Sequence, residues 1–274
     1  MAAVKKSKNK MRISALSSGS SGNCFFIENE KCNSKKNAVL VDCGISCKQI
    51  EERLNSLHRN AENIKAVFIT HEHTDHIKGI DVFARKFSVP VYVPKKIIGH
   101  KFLCSDENLI NGIKNNETIK IAGMEINAFP KEHLSVDPVS YSIIDAHGKN
   151  KKASIITDAG HACSNIINNV SDSDFLCIES NHDIEMLNNG PYPWHLKKWI
   201  KSDNGHLSNM QAACCVLEHA PKKLKNIMLA HLSEHNNTSK LALSTFQYFI
   251  KQRSDLKPKI NISEKVFASE LMKV

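Results

Sequence analysis

A six-residue run, HEHTDH, constrains this chain more than any other feature. It carries four candidate metal ligands: His71, His73, Asp75 and His76. The apolar segment before it, residues 64–70 (IKAVFIT), predicts a buried strand. Side chains two apart at the end of a strand can converge on one ion, and those one turn later can reach a second. Imidazole and carboxylate ligands suit zinc, manganese or iron, so the run predicts a metal site at a strand end.

Three further candidate ligands stand at the ends of other predicted strands. His133 follows the segment 125–129, Asp158 follows SIIT, and His231 follows NIMLA. Each residue alone is typical of an ordinary loop. Because active sites of layered α/β proteins form where strand ends meet, their recurrence at strand ends favours one shared centre.

The apolar periodicity predicts an α/β protein of layered sheets covered by helices. Strands are predicted at 12–16, 24–28, 38–42, 64–70, 89–93, 118–121, 125–129, 139–145, 153–157, 174–179 and 226–230. Helices are predicted at 46–57, 77–87, 163–169, 194–201, 208–219 and 240–251. Residues 94–117 show no clear pattern.

The length of 274 residues and the absence of a Pro/Gly-rich linker favour a single domain over residues 12–274. Residues 1–11 are predicted to be a disordered basic leader. No apolar run approaches the roughly 20 residues of a membrane span, and the basic start leads into no apolar signal segment. We therefore expect no membrane association.

The cysteine and charge patterns indicate the compartment and the class of partner. Nine scattered cysteines include no CxxC pair, which favours reduced thiols in a cytoplasmic protein. Lys and Arg number 37 against 28 Asp and Glu, a net charge of +9. This balance suits a polyanionic partner such as nucleic acid, although solvated surface lysines are the simpler explanation of the charge.

Several segments together resemble the metallo-β-lactamase superfamily, and more narrowly its YycJ (WalJ) branch. They are SSGSSGNC, VDCGIS, THEHTDHIKGI, ITDAGH, ESNHDIEML, YPWHLKKWI, GHLSN and LAHLSEHNN. The resemblance covers the chain from about residue 12. It implies an αββα four-layer sandwich of two mixed sheets flanked by helices. That branch comprises cytoplasmic bacterial metallo-hydrolases associated with 5′→3′ DNA exonuclease activity.

The resemblance also implies a set of ligands for two divalent cations, Zn²⁺, Mn²⁺ or Fe²⁺. One metal would be bound by His71, His73 and His133, the other by Asp75, His76 and His231, and Asp158 would bridge them. Asp42 would orient the metal loop without binding the metal. This chain has Leu134 where relatives tend to have aspartate after the histidine, which leaves His133 without that neighbouring hydrogen-bond partner.

The function that follows is a two-metal phosphodiesterase acting on DNA, with a metal-bridging hydroxide as the nucleophile. Asp75, Asp158, His182 and His206 are the expected catalytic residues. The alternative is a small-molecule hydrolase of the cyclic phosphodiesterase, thioesterase or lactonase type, because the same fold serves many substrates. A catalytically silent binding module is a third hypothesis, disfavoured by the intact ligand set.

Other polar and aromatic segments have two interpretations each. Asp183 and Ser208 are candidate helix N-caps as well as neighbours of His182 and His206. The loop carrying Ser18, Ser20 and Asn23 is either a metal-site loop or an ordinary turn. In the helix YPWHLKKWI we expect the tryptophans to pack on the core with the lysines outward. The alternative for that helix is base stacking with phosphate contacts.

Overall fold

A computed structural model of the chain describes residues 11–30, 32, 34–147 and 150–274. The predicted leader lies outside the described residues, except for Met11, which is buried and begins the first strand.

The first sheet has seven strands in the order β14-β1-β2-β3-β4-β5-β6. They are β1 (Met11–Ser17), β2 (Cys24–Asn29), β3 (Ala38–Val41), β4 (Ile64–Phe68), β5 (Val91–Pro94), β6 (Ile110–Ile113) and β14 (Met272–Lys273). Pairing is antiparallel from β14 to β3 and parallel from β3 to β6. Apart from the edge strand β6, the parallel strands read as nearly continuous apolar runs, as expected for strands buried on both faces.

The second sheet repeats this arrangement in the order β13-β12-β11-β10-β9-β8-β7. Its strands are β7 (Thr118–Ile121), β8 (Met124–Pro130), β9 (Val139–Asp145), β10 (Lys152–Ile156), β11 (Phe175–Glu179), β12 (Asn226–Ala230) and β13 (Lys259–Ile262). Pairing is antiparallel from β7 to β10 and parallel from β10 to β13. Each sheet therefore places its parallel strand ends at one edge.

Helices cover the outer face of each sheet. They are α1 (Cys47–Ser56), α2 (Thr74–Ile77), α3 (Ile80–Phe87), α4 (Ser164–Val170), α5 (Ile184–Asn189), α6 (Trp194–Ile200), α7 (Asn209–His219) and α8 (Ser239–Ile250). One apolar cluster lies between the sheets, one lies under α1 and α3, and one lies under α4, α7 and α8. The expected αββα sandwich is confirmed. Among the helices of the described ranges, none combines the length and apolarity that crossing a membrane requires.

Most local predictions hold, although β13 and β14 are not among the predicted strands. Asp183 and Ser208 cap their helices with side-chain hydrogen bonds, as expected, and Ser46 caps α1 in the same way. The helix expected over 77–87 instead begins at Thr74 as α2 and is interrupted before α3. The patternless segment 94–117 contains β6, whose half-buried residues explain the weak periodicity.

Candidate metal centre

The ends of five strands bring the candidate ligands together. β4 leads into His71, β8 into His133, β10 into Asp158, and β12 into His231. The fifth, β11, ends at Glu179. Because parallel neighbours end at the same edge of a sheet, residues far apart in sequence meet there. All seven predicted ligands belong to groups whose ligand atoms lie within 4.8 Å of one another.

Three histidines form the first group. The Nε2 atom of His71 lies 3.0 Å from Nδ1 of His73, and Nε2 of His133 lies 3.4 Å from the same Nδ1. His71 and His133 are buried, and His73 is half-buried. Three imidazole nitrogens this close together could hold a single cation.

The second group comprises Asp75, His76 and His231. Oδ2 of Asp75 lies 3.3 Å from Nε2 of His76 and 3.7 Å from Nε2 of His231. Asp158 lies between the two groups. Its Oδ2 is 3.0 Å from Nε2 of His76, and its Oδ1 is 3.9 Å from Nε2 of His133.

Hydrogen bonds at the opposite ring nitrogens fix which atom of each imidazole faces the centre. Nδ1 of His76 lies 2.7 Å from the Asp42 carboxylate, and Nδ1 of His133 lies 3.1 Å from the Gly205 carbonyl. Since these oxygens only accept, each Nδ1 carries a proton, and in the neutral ring Nε2 has the lone pair that a cation would use. The Gly205 carbonyl thus supplies the partner that the sequence around Leu134 lacks.

Asp42 and Thr70 connect the metal loop to the end of β4. Oδ1 of Asp42 accepts hydrogen bonds from the Thr70 amide at 2.8 Å and its hydroxyl at 3.1 Å. The Thr70 hydroxyl is in turn 2.9 Å from Nδ1 of His71. Asp42 therefore orients two candidate ligands from behind, in the position that the resemblance implies.

Glu179 is a functional residue that the sequence analysis missed. Its Oε1 lies 2.8 Å from Nδ1 of both His231 and His206. Its Oε2 accepts from the amides of Ala159 at 2.8 Å and Leu207 at 3.2 Å. The available signal was its position as the polar end of an apolar strand, the same pattern that marked Asp158.

Burial and neighbouring charges shift the pKa values of the centre in opposite directions. Burial lowers the pKa of His133 to about 3, and holds that of His71 well below its usual range. Burial opposes protonation of His231 too, but Asp158, Asp75 and Glu179 raise its pKa to about 10. Such opposed shifts in one buried cluster are typical of functional sites.

The two predicted histidines outside the ligand set differ in their placement. His206 belongs to a further group of possible ligands with Asp158, Glu179 and His231, and its Nδ1 lies 3.7 Å from Oδ1 of Asp158. His182 is paired with Ser208 by an isolated β-bridge. Its Nδ1 is buried, without a hydrogen-bond partner among the described residues. His182 does not belong to the ligand groups of the described part of the chain.

The serine-rich loop after β1 contacts the cluster, so the metal-site interpretation of this loop is supported. Nδ2 of Asn23 lies 3.2 Å from Oδ2 of Asp75 and 3.2 Å from Nε2 of His76. The Ser18 hydroxyl accepts a hydrogen bond from the His231 amide at 2.8 Å. Ser20, by contrast, is exposed.

A buried lysine and a tryptophan complete the surroundings. Lys131 is almost fully buried and donates a hydrogen bond to the Thr157 carbonyl, next to Asp158. The ring of Trp199 on α6 lies 5.4 Å from that of His206 and 6.3 Å from that of His133, centroid to centroid. One face of α6 therefore forms part of the wall of the centre.

Comparison with known proteins places this centre in a defined class. The sequence profile of the metallo-beta-lactamase superfamily matches residues 18–164. The chain belongs to the metallo-beta-lactamase superfamily.

Two curated relatives match nearly the whole chain. It is 33% identical to Exodeoxyribonuclease YycJ of Bacillus anthracis, over 89% of this chain and 90% of that one. It is 36% identical to Exodeoxyribonuclease WalJ of Streptococcus pneumoniae, over 85% of this chain and 86% of that one. Among solved structures, the metallo-beta-lactamase fold protein YhfI of Bacillus subtilis superposes with a TM-score of 0.67 at 17% identity. That superposition covers 95% of this chain and 99% of YhfI, and it supports the fold.

Proposed function

We propose that this protein is a metal-dependent exodeoxyribonuclease that hydrolyses DNA from a 5′ end. The observation that carries the proposal is the placement of Asp158 between two groups of ligand atoms. A carboxylate has two oxygens and one negative charge, so it is suited to bridge two cations. The names of the YycJ and WalJ relatives support DNA as the substrate.

The residues fit a pair of divalent cations. Nε2 of His231 is buried without a hydrogen-bond partner among the described residues, as expected of a ligand atom. We assign His71, His73 and His133 to one cation, Asp75, His76 and His231 to the other, and Asp158 to both. Zn²⁺, Mn²⁺ and Fe²⁺ all suit nitrogen and oxygen donors. When bound, such ions supply Lewis acidity and lower the pKa of a water molecule.

The remaining residues position the substrate and move protons. Glu179 accepts a hydrogen bond from Nδ1 of His206 and stabilises the cationic form of that ring, which can then donate the proton on Nε2 to the departing oxygen. Nδ2 of Asn23, beside Asp75, orients that carboxylate. We assign His182 to the edge of the same cleft, because its buried Nδ1 has no protein partner in the described ranges and is available to a phosphate oxygen.

The test is digestion of 5′- and 3′-labelled single- and double-stranded oligonucleotides with Mn²⁺ or Zn²⁺. We expect release of nucleotides from the 5′ end. Nδ1 of His73 lies close to the ring nitrogens of His71 and His133, so His73→Ala removes one of the three proposed ligands of the first cation. We expect hydrolysis to be lost while the circular dichroism spectrum is retained. His219→Ala, at the end of α7, is the matched control. Turnover of a thioester or lactone without cleavage of DNA would contradict the proposal and favour the small-molecule alternative.

We further propose that residues 12–274 form one domain that works in the cytoplasm. The apolar cluster between the sheets draws residues from both halves of the chain, which supports a single domain. All nine cysteines are free, and this is the usual state of thiols in a reducing compartment.

A further inference from the structure

The outer face of α6 borders a groove that the centre itself does not use. It has a volume of about 640 Å³ and is lined by Asn188, Trp194, Lys197, Lys198, Lys201 and Ser202. Trp194 is 73% exposed, so the expectation that both tryptophans pack on the core is wrong for this residue. It begins α6, and its side chain lies outside the apolar cluster that covers the second sheet. A tryptophan this exposed presents a flat ring to solvent beside the positive charges of the lysines.

The three lysines give this groove, which we call the α6 groove, an uncompensated positive charge. Lys197 and Lys201 donate hydrogen bonds to the backbone carbonyl and side-chain oxygen of Asn188, at 2.8 and 2.9 Å. The Lys198 ammonium lies 5.2 Å from the centroid of the Trp194 ring. These partners are neutral, and no carboxylate of the described residues pairs with the lysines or lines the groove. The groove thus suits a polyanion.

The α6 groove adjoins the candidate metal centre. Trp199, on the same helix, lies 5.4 Å from the His206 ring. Trp194 precedes Trp199 by five residues, which is about 7.5 Å along a helix axis. Ser202 lines the groove, and its carbonyl accepts from the amide of Gly205, the residue whose own carbonyl holds His133. A short extended chain bound in the groove would therefore reach the candidate metal ligands.

We propose that the α6 groove binds single-stranded DNA that leads into the metal centre, with a base stacked on Trp194 and phosphates on Lys197 and Lys201. A base can stack on an exposed indole only when it is unstacked from its neighbours, so single strands are favoured over duplex. The lysines supply the sequence-independent contacts of a backbone. This inference rests on the proposed function, because it names the path of the same substrate.

The test measures binding of a labelled, phosphorothioate-linked oligothymidylate of about 12 nucleotides to the metal-loaded protein by anisotropy. We expect Trp194→Ala to weaken binding by about 5- to 150-fold, the usual effect of removing one stacking platform. Trp194→Phe keeps a flat ring and retains most of the affinity. Phe102→Ala is the matched control. Phe102 is 61% exposed, with the Lys101 ammonium 4.6 Å from its ring.

The contribution of the lysines to DNA binding is measured separately, from the salt dependence of the affinity. The double variant Lys197→Ala/Lys201→Ala removes two phosphate contacts, so the slope of log affinity against log salt becomes shallower by about 1.4. Lys65→Ala, an exposed lysine on β4, leaves the slope unchanged. Displacement of the oligonucleotide by polyglutamate as readily as by unlabelled DNA would overturn the proposal, because an acidic peptide offers no bases.

Hydrolysis of bis(p-nitrophenyl) phosphate separates this inference from the proposed function. This small diester does not reach Trp194, so its turnover is unchanged in Trp194→Ala. Normal turnover together with wild-type DNA affinity in Trp194→Ala would overturn the α6 groove and leave the nuclease proposal standing. Loss of DNA affinity in a protein whose wild type cleaves neither substrate would support the groove and overturn the nuclease.

Discussion

Replacing Glu179 by glutamine tests how the centre is held in place. This carboxylate is fully buried and accepts four hydrogen bonds, two from imidazole rings and two from backbone amides. Each oxygen has its own pair of donors, because Oε1 accepts from His206 and His231 while Oε2 accepts from the two amides. A glutamine side chain keeps the shape but turns one oxygen into a donor. One of the two pairs then meets an NH₂ group and loses its acceptor.

The expected loss follows from those contacts. A hydrogen bond to a charged group contributes about 1.5–3 kcal/mol, and stranding buried donors adds their desolvation. We therefore expect Glu179→Gln to lower the free energy of unfolding by about 3–5 kcal/mol. Because Glu179 orients His231 through Nδ1, metal affinity or activity should also fall by about 10- to 100-fold.

The pH dependence of folding stability is a second test of the role of Glu179. Burial alone would raise the pKa of Glu179, but His206 and His231 hold it at about 2, below the ordinary value of 4.5. A lowered pKa in the folded state stabilises the fold above about pH 4.5, and this contribution is lost as the pH falls toward 2. Glu179→Gln should lack that component of acid unfolding.

The assays are denaturant unfolding and competition with a chelating dye for the metal. The matched control is Glu218→Gln, which changes an exposed carboxylate on α7. If Glu179→Gln bound metal and cleaved DNA as the wild type does, the idea that this carboxylate orients the centre would be refuted. A loss of stability with unchanged metal affinity would reduce Glu179 to a structural role.

Four further outcomes are expected. Asp158→Asn should abolish hydrolysis with an unchanged circular dichroism spectrum, because the amide keeps the shape and removes the bridging charge. Gly44→Ala should impair metal binding, since its Cβ would lie 1.7 Å from the Asp75 carbonyl oxygen; a metal titration checks this. Arg59→Met should lower the free energy of unfolding by about 3 kcal/mol in urea, because it leaves the buried Glu28 without contacts of 2.6 and 2.7 Å. Adding Mn²⁺ to chelator-treated protein at about 100 times its Kd should stabilise the fold by about 2.7 kcal/mol, seen as a higher Tm.

The metal loop was predictable from sequence because its information is local. His71, His73, Asp75 and His76 share one short segment, and the strand before them has an unmistakable apolar pattern. Most strands and helices follow from the same periodicity. β6 escaped prediction because its residues are only half-buried and include a glycine, so no alternation marks it.

The support of the centre was not predictable in the same way, because it depends on contacts across the fold. Glu179 meets His231 from 52 positions away, and the Gly205 carbonyl meets His133 from 72 positions away. A backbone carbonyl leaves no trace in residue identity. The exposure of Trp194 was equally hidden, since a tryptophan beside lysines at helical spacing has the same pattern whether it faces the core or solvent.

The backbone at the strand ends shows why aspartate and histidine stand there. Asp42, Asp158 and His231 each follow a strand of the parallel edge, and their φ angles are 61°, 52° and 56°. This left-handed conformation costs most residues free energy, and aspartate and histidine tolerate it better than bulkier or branched residues. Glycine would remove the strain, but it offers no ligand and no hydrogen-bonding side chain. The left-handed backbone at the end of each strand and the chemistry of the centre therefore favour the same residue types. A substitution that suits the backbone but lacks the polar side chain, or the reverse, should impair the centre.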